Sequence, residues 1–144
     1  MAAPYIMLVD DEAAFVDTMI KRLQKRGFSA ISAGSGSDAL DLLKTNQNLD
    51  VILLDVKMPG MDGIETLHEI KKRYPLIEVV MLTGHATIES AIEGMKAGAF
   101  DYLMKPCDID KLVEKVMEAA DKRREHAEKI EKAQLEKIMT NHGV

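Results

Sequence analysis

The sequence predicts an α/β doubly wound domain, five parallel strands alternating with five helices, and three observations carry that expectation. Short unalternated apolar runs recur along the chain, at Ile6–Val9, Val51–Leu54, Val79–Leu82 and Tyr102–Met104, with a weaker one from Phe28 to Ala33. Runs of this length without polar alternation suit strands buried on both faces of a parallel sheet. Between them lie segments with helical spacing. Phe15, Met19 and Leu23 make one stripe, and Ala39, Leu42 and Leu43 a second. Ile64, Leu67 and Ile70 make a third, and Ile88, Ala91, Ile92 and Met95 a fourth. Leu112, Val113, Val116, Met117 and Ala120 make the fifth. All five stripes are expected to pack on the core. The breaks agree: Gly27 closes the first helical segment, Tyr74-Pro75 the third, and Asp108 can cap the fifth just after Pro106.

The totals fit this picture. At 144 residues, with 47% hydrophobic and 30% charged residues, the chain can bury a core as one domain. Its net charge of −5 disfavours electrostatic binding of nucleic acid or anionic membrane. One cysteine cannot form an internal disulfide, no signal peptide is evident, and no apolar run approaches a membrane span. A cytoplasmic protein is the expectation.

The polar residues carry the functional information. Asp10-Asp11 follow the first apolar run, Asp55 the third, Thr83 the fourth and Lys105 the fifth. Open α/β sheets bind ligands beyond the carboxyl ends of their strands. In the common 2-1-3-4-5 order those four strands are neighbours, about 4.8 Å apart, so these side chains share one edge. Carboxylates that close repel unless a cation neutralises them, and a hard divalent ion such as Mg²⁺ suits oxygen ligands. Acids, a hydroxyl and an amine around one carboxylate describe a site for a phosphoryl group carried on that carboxylate. Asp55 is then the nucleophile, with Asp10 and Asp11 at the metal, one directly and one through water. Thr83 and Lys105 meet the phosphoryl oxygens, and Gly84 leaves room beside Thr83.

These residues make the chain resemble the receiver domains of response regulators over about residues 4–122. The resemblance rests on Asp10-Asp11, on Asp55-Val56-Lys57-Met58-Pro59-Gly60-Met61-Asp62-Gly63, on Thr83-Gly84 and on Lys105-Pro106. The second element is specific, and the four together in this order are highly so. It implies a flavodoxin-like (βα)5 fold. It also implies that Asp55 accepts phosphate from a sensor histidine kinase or phosphotransfer protein, with small phosphodonors such as acetyl phosphate as substitutes. Mg²⁺ is the implied cofactor, replaceable by Mn²⁺, and the backbone carbonyl of Lys57 joins Asp10, Asp11 and Asp55 as a ligand. Tyr102 would be the switch aromatic that turns inward as Thr83 moves, and Lys57 and His85 would tune hydrolysis of the acyl phosphate. Pro59, Gly63, Gly84 and Pro106 are structural members of the motifs, and the Lys105–Pro106 bond would be cis. Leu82–Thr87 and Lys105–Asp108 look like receivers of the NtrC class of transcriptional activators.

Residues 121–144 change character, rich in Lys, Arg and Glu and free of Gly and Pro as far as Thr140. Residues 1–122 are expected to form the receiver and 123–144 a helical extension or linker. That extension reads either as a solvated helix or as a short coiled coil between two copies, a homodimer; helix 4, strand 5 and helix 5 offer a second dimer surface. The phosphorylated receiver is expected to remodel that same surface and control an output such as transcription, without contacting nucleic acid or membrane itself. Cys107 reads as small filler, and Gly34-Ser35-Gly36-Ser37 as a turn and helix cap. Met58 and Met61 are assigned to loop packing ahead of recognition. Two other classes compete with a signalling switch. A phosphohydrolase with an Asp nucleophile would want a second Asp two residues on, where Lys57 stands, and a flavodoxin-like nucleotide binder would not put Asp10-Asp11 in its phosphate loop.

Overall fold

The computed structural model describes residues 3–56, 62–84 and 87–141. The strands are β1 (Tyr5–Val9), β2 (Ser29–Ala33), β3 (Val51–Leu54), β4 (Glu78–Thr83) and β5 (Asp101–Met104). They alternate with α1 (Ala13–Lys25), α2 (Gly36–Leu43), α3 (Gly63–Arg73), α4 (Ile88–Lys96) and α5 (Ile109–Asn141). All neighbouring strands pair in parallel, in the order β2-β1-β3-β4-β5. The predicted apolar runs become these strands to within a residue or two. Every residue of β3 and β4 is buried, as a sheet covered on both faces requires.

Two cores follow from the alternation of side chains along the strands. On one face Ile6, Leu8, Leu53, Val80 and Leu82 pack with Val16, Met19 and Leu23 of α1 and Leu112 and Val116 of α5. On the other, Met7, Val9, Ile52, Leu54 and Met81 pack with Leu43 of α2 and Ile64, Leu67 and Ile70 of α3. Local chemistry sets the helix ends. Ser35 accepts from the amide of Asp38 to cap α2, as the Gly34–Ser37 stretch suggested. Gly27 adopts φ +88° just past α1, the left-handed backbone that glycine tolerates at a helix exit.

One predicted core stripe is wrong. Ile88, Ile92 and Met95 of α4 are 80%, 49% and 46% exposed, and Ala91 is only half-buried. The helix meets the sheet through Gly94 instead, where an added β-carbon would lie 3.6 Å from Met81 and 3.7 Å from Ile64. On α2 the buried set is Ala39, Leu40 and Leu43, with Leu42 only half-buried. Met117 on α5 faces outward, 39% exposed.

At the amino-terminal edge of the sheet two buried acids hold α5. Asp50 accepts from the Tyr5 amide at 2.9 Å and lies 3.7 Å from Arg123 and 3.6 Å from Arg124. Glu78 pairs with Lys71 of α3 at 3.2 Å and Lys122 at 3.3 Å. Buried carboxylates must be paired, and here helix α5 supplies three consecutive cations. Asp50→Ala is therefore expected to lower stability by about 1–3 kcal/mol, read as a reduced urea midpoint, because it strands the Tyr5 amide and takes a carboxylate away from Arg123 and Arg124.

Candidate functional site

The parallel ladders run one residue beyond the strands and fix the site. The Asp10 amide donates to the Ala33 carbonyl at 3.0 Å, that of Asp55 to Val9 at 3.0 Å, and that of Lys105 to Thr83 at 2.9 Å. The backbone thus delivers Asp10, Asp55, Thr83 and Lys105 to one edge. Asp10, Asp55 and Thr83 are buried and Asp11 is exposed.

Asp10, Asp11 and Asp55 each place a carboxylate oxygen within 4.8 Å of the others. Three hard oxygen donors so close, two of them buried, fit a divalent cation such as Mg²⁺. Lys105 crosses from β5 to close the group. Its Nζ lies 2.5 Å from Asp10 Oδ2, 3.4 Å from Glu12 Oε1 and 3.9 Å from Asp55 Oδ2. The second oxygen of Asp10 accepts from the Glu12 amide at 2.9 Å, at the start of α1.

Burial pushes the Asp10 carboxyl above its ordinary 3.8, and repulsion from Asp55 adds to this. The hydrogen bonds from Lys105 and the Glu12 amide pull the other way without prevailing. Burial alone would lower the Lys105 ammonium, but its hydrogen bond to Asp10 and the nearby carboxylates outweigh it and hold the proton on. Burial likewise raises the Cys107 thiol, consistent with an unreactive, half-buried filler.

Gly63 is fixed by approach, whereas Gly84 is not. A β-carbon on Gly63 would overlap the backbone carbonyl of Asp55, and the Gly63 amide donates to Val56 at 2.8 Å. The start of α3 therefore lies directly against the Asp55 segment. At Gly84 a β-carbon would meet the Lys105 side chain at 3.9 Å. The Lys105–Pro106 peptide is cis. Tyr102 hydrogen-bonds through its hydroxyl to Ser90 of α4 at 3.2 Å. Ser90 itself closes a reciprocal cap with Thr87. Lys57, Pro59 and His85 lie outside the described residues, as do Met58 and Met61.

Residues 6–117 match the family model described as the response regulator receiver domain. The chain belongs to that family. Among curated receivers it is similar to the DNA-binding transcriptional regulator NtrC of Klebsiella pneumoniae, 41% identical over 106 residues, 74% of this chain and 22% of that protein. It is also similar to the transcriptional regulatory protein ZraR of Salmonella typhimurium, 40% identical over 120 residues, 83% of this chain and 27% of that protein. The chain thus spans about a quarter of the length of these relatives. Among solved structures, a receiver domain from Clostridium thermocellum superposes with TM-score 0.80 at 34% identity, covering 84% of this chain and 97% of that one. The receiver domain of NtrX from Brucella abortus gives 0.75 at 32%, covering 81% and 98%. The resemblance to the NtrC class read from the sequence is therefore upheld.

Sequence reasoning missed Glu12 and Phe15 at the lysine, and Ser90 at Tyr102. Glu12 follows the Asp10-Asp11 pair directly and was legible as a third acid. Ser90 and Phe15 carried no local signal.

The raised Asp10 carboxyl sets the pH behaviour of the site. For an acid whose folded-state pKa is raised, the stability owed to the neutral form is complete below the unfolded value and vanishes as pH climbs through the raised one. A divalent cation favours the ionised form and competes with that proton. Mg²⁺ affinity, measured calorimetrically, is expected to fall as pH is lowered from neutrality through the raised Asp10 value. Asp10→Asn should remove most of that dependence and weaken binding at least about tenfold, since even outer-shell changes at metal sites cost that much.

Proposed function

We propose that this receiver is a phosphorylation-controlled signalling switch in which Asp55 accepts a phosphoryl group from a sensor histidine kinase or phosphotransfer protein. The observation that supports it most is the Asp10–Asp11–Asp55 cluster with the Lys105 ammonium 3.9 Å from Asp55. An Asp55 oxygen attacks phosphorus in line, the P–N bond of the donor phosphohistidine breaks, and an acyl phosphate forms on Asp55. Mg²⁺, held by Asp10, Asp11, Asp55 and the Lys57 carbonyl, would supply charge neutralisation on the phosphoryl oxygens; Mn²⁺ has the same oxygen preference.

The remaining steps belong to the chain's own groups. The added group brings roughly −1.5 to −2 charges into an acidic site. Lys105 is released from Asp10 to pair with one phosphoryl oxygen, and the Thr83 hydroxyl is drawn to another. Movement at Thr83 alters the loop into α4, and Tyr102, tied to Ser90 of that helix, follows inward. The exposed Ile88, Ile92 and Met95 of α4 with Met104 of β5 form an apolar face beside it. That face on α4, β5 and α5 is the surface on which the switch is read, by a second copy or by an output element. We assign Lys57 and His85 to tuning of acyl-phosphate hydrolysis, and Gly63, Gly84, Pro59 and Pro106 to shaping the site.

Residues 1–122 are assigned to the receiver and 123–144 to a helical extension that carries the signal onward or pairs two copies. The relatives are transcriptional regulators by name, and control of transcription in the cytoplasm is the output proposed here. The chemistry is self-labelling, with no separate substrate.

Incubation with radiolabelled acetyl phosphate and Mg²⁺ is expected to label the chain to at most one phosphoryl group per molecule, without sustained turnover. Asp55→Ala should abolish that label. Equal labelling of the variant, or steady release of phosphate from phosphomonoesters, would sink this reading.

A further inference from the structure

We infer that Phe15 is a positioning residue for Lys105, its ring face holding the ammonium in reach of Asp55. This rests on the reading of Asp55 as phosphoacceptor and Lys105 as its phosphoryl-binding cation. Phe15 lies in the first turn of α1, and the Lys105 Nζ sits 4.1 Å from its ring centroid. The ion-pair partners of that nitrogen include the carboxylates of Asp10, Glu12 and Asp55, and the role of an uncharged ring differs in kind from theirs.

A carboxylate attracts Lys105 by neutralising it and by occupying its N–H donors. An aromatic face attracts a cation through its quadrupole and leaves those donors free for an incoming oxygen. Asp10 is moreover a candidate metal ligand, so its contact with Lys105 is the one expected to loosen as the site loads. The Phe15 contact is not shared with any ligand. Without it the lysine stem has somewhere to go. Lys105 also lines a cavity of about 130 Å³ between α1 and the β5–α5 loop, with Thr18, Arg22, Leu82 and Cys107 around it. Phe15 stands at the wall of that cavity and packs partly against the α1–α5 core. Holding a long, rotatable side chain at one place is where such a contact has leverage, because Lys loses much rotamer freedom on being fixed.

The test uses the full chain with acetyl phosphate and Mg²⁺, a donor that needs no docking on α1. Phe15→Leu keeps apolar bulk and removes the ring; Phe15→Tyr and Phe15→Trp keep an aromatic face. Phe15→Leu is expected to raise the acetyl phosphate concentration for half-maximal labelling about fivefold, the factor one half-exposed ring–cation contact is worth, with final stoichiometry unchanged. Phe15→Tyr and Phe15→Trp should stay near the parent. Proton NMR supplies a direct readout: the Lys105 ε-methylene signal, shifted by the ring current in the parent, should return to its ordinary position in Phe15→Leu alone. Labelling of Phe15→Leu identical to the parent overturns the inference. So does a labelling defect with an unmoved lysine signal, which would assign Phe15 to packing alone. If Asp55→Ala still labels, the underlying phosphoacceptor reading fails instead, and the two failures are told apart by that control.

Discussion

The Lys105–Asp10 contact, 2.5 Å long and reaching from β5 back to β1, is the constraint on which this domain depends. It exists because parallel pairing brings β1, β3, β4 and β5 side by side and ends each strand in a polar residue. Burying Asp10 and Asp55 beside one another is unfavourable without positive charge. A tethered ammonium meets that need in part, while burial still holds the Asp10 carboxyl above its ordinary value. Beside that ammonium the three clustered carboxylates of Asp10, Asp11 and Asp55 could hold a divalent cation.

Much of this was legible in the residues. Uninterrupted apolar runs announced buried parallel strands, and the polar residues closing them named the site, because open α/β sheets bind ligands beyond the carboxyl ends of their strands. Gly63 was read as part of a motif, and the reason for it is physical: the start of α3 touches the Asp55 backbone too closely for a β-carbon. What escaped the sequence shared one property. Periodicity shows that a helix has an apolar face but not whether anything covers it, so α4 was assigned to the core when Gly94 makes the close approach and Ile88 faces water. Pairings between residues far apart in sequence, such as Asp50 with Arg123 or Lys105 with Phe15, leave no local trace at either end.

The exposed stripe on α4 and the Tyr102–Ser90 hydrogen bond belong to one physical arrangement. A helix whose one buried residue is a glycine costs little to displace, compared with α1 or α5, which bury larger side chains. Tyr102 ties that loosely held element to the strand next to the site. An element tied to β5 through Tyr102 is therefore also one whose position is little fixed by packing.

Acids sit at both ends of this sheet, and the two ends handle them differently. At the carboxyl edge three carboxylates share one lysine. At the opposite edge Asp50 and Glu78 meet four cations, Lys71, Lys122, Arg123 and Arg124. At that far edge the chain's own cations outnumber the acids they meet. Those pairs join the long terminal helix to the residues that open β3 and β4, so the same helix that covers the sheet is also held at its amino-terminal rim.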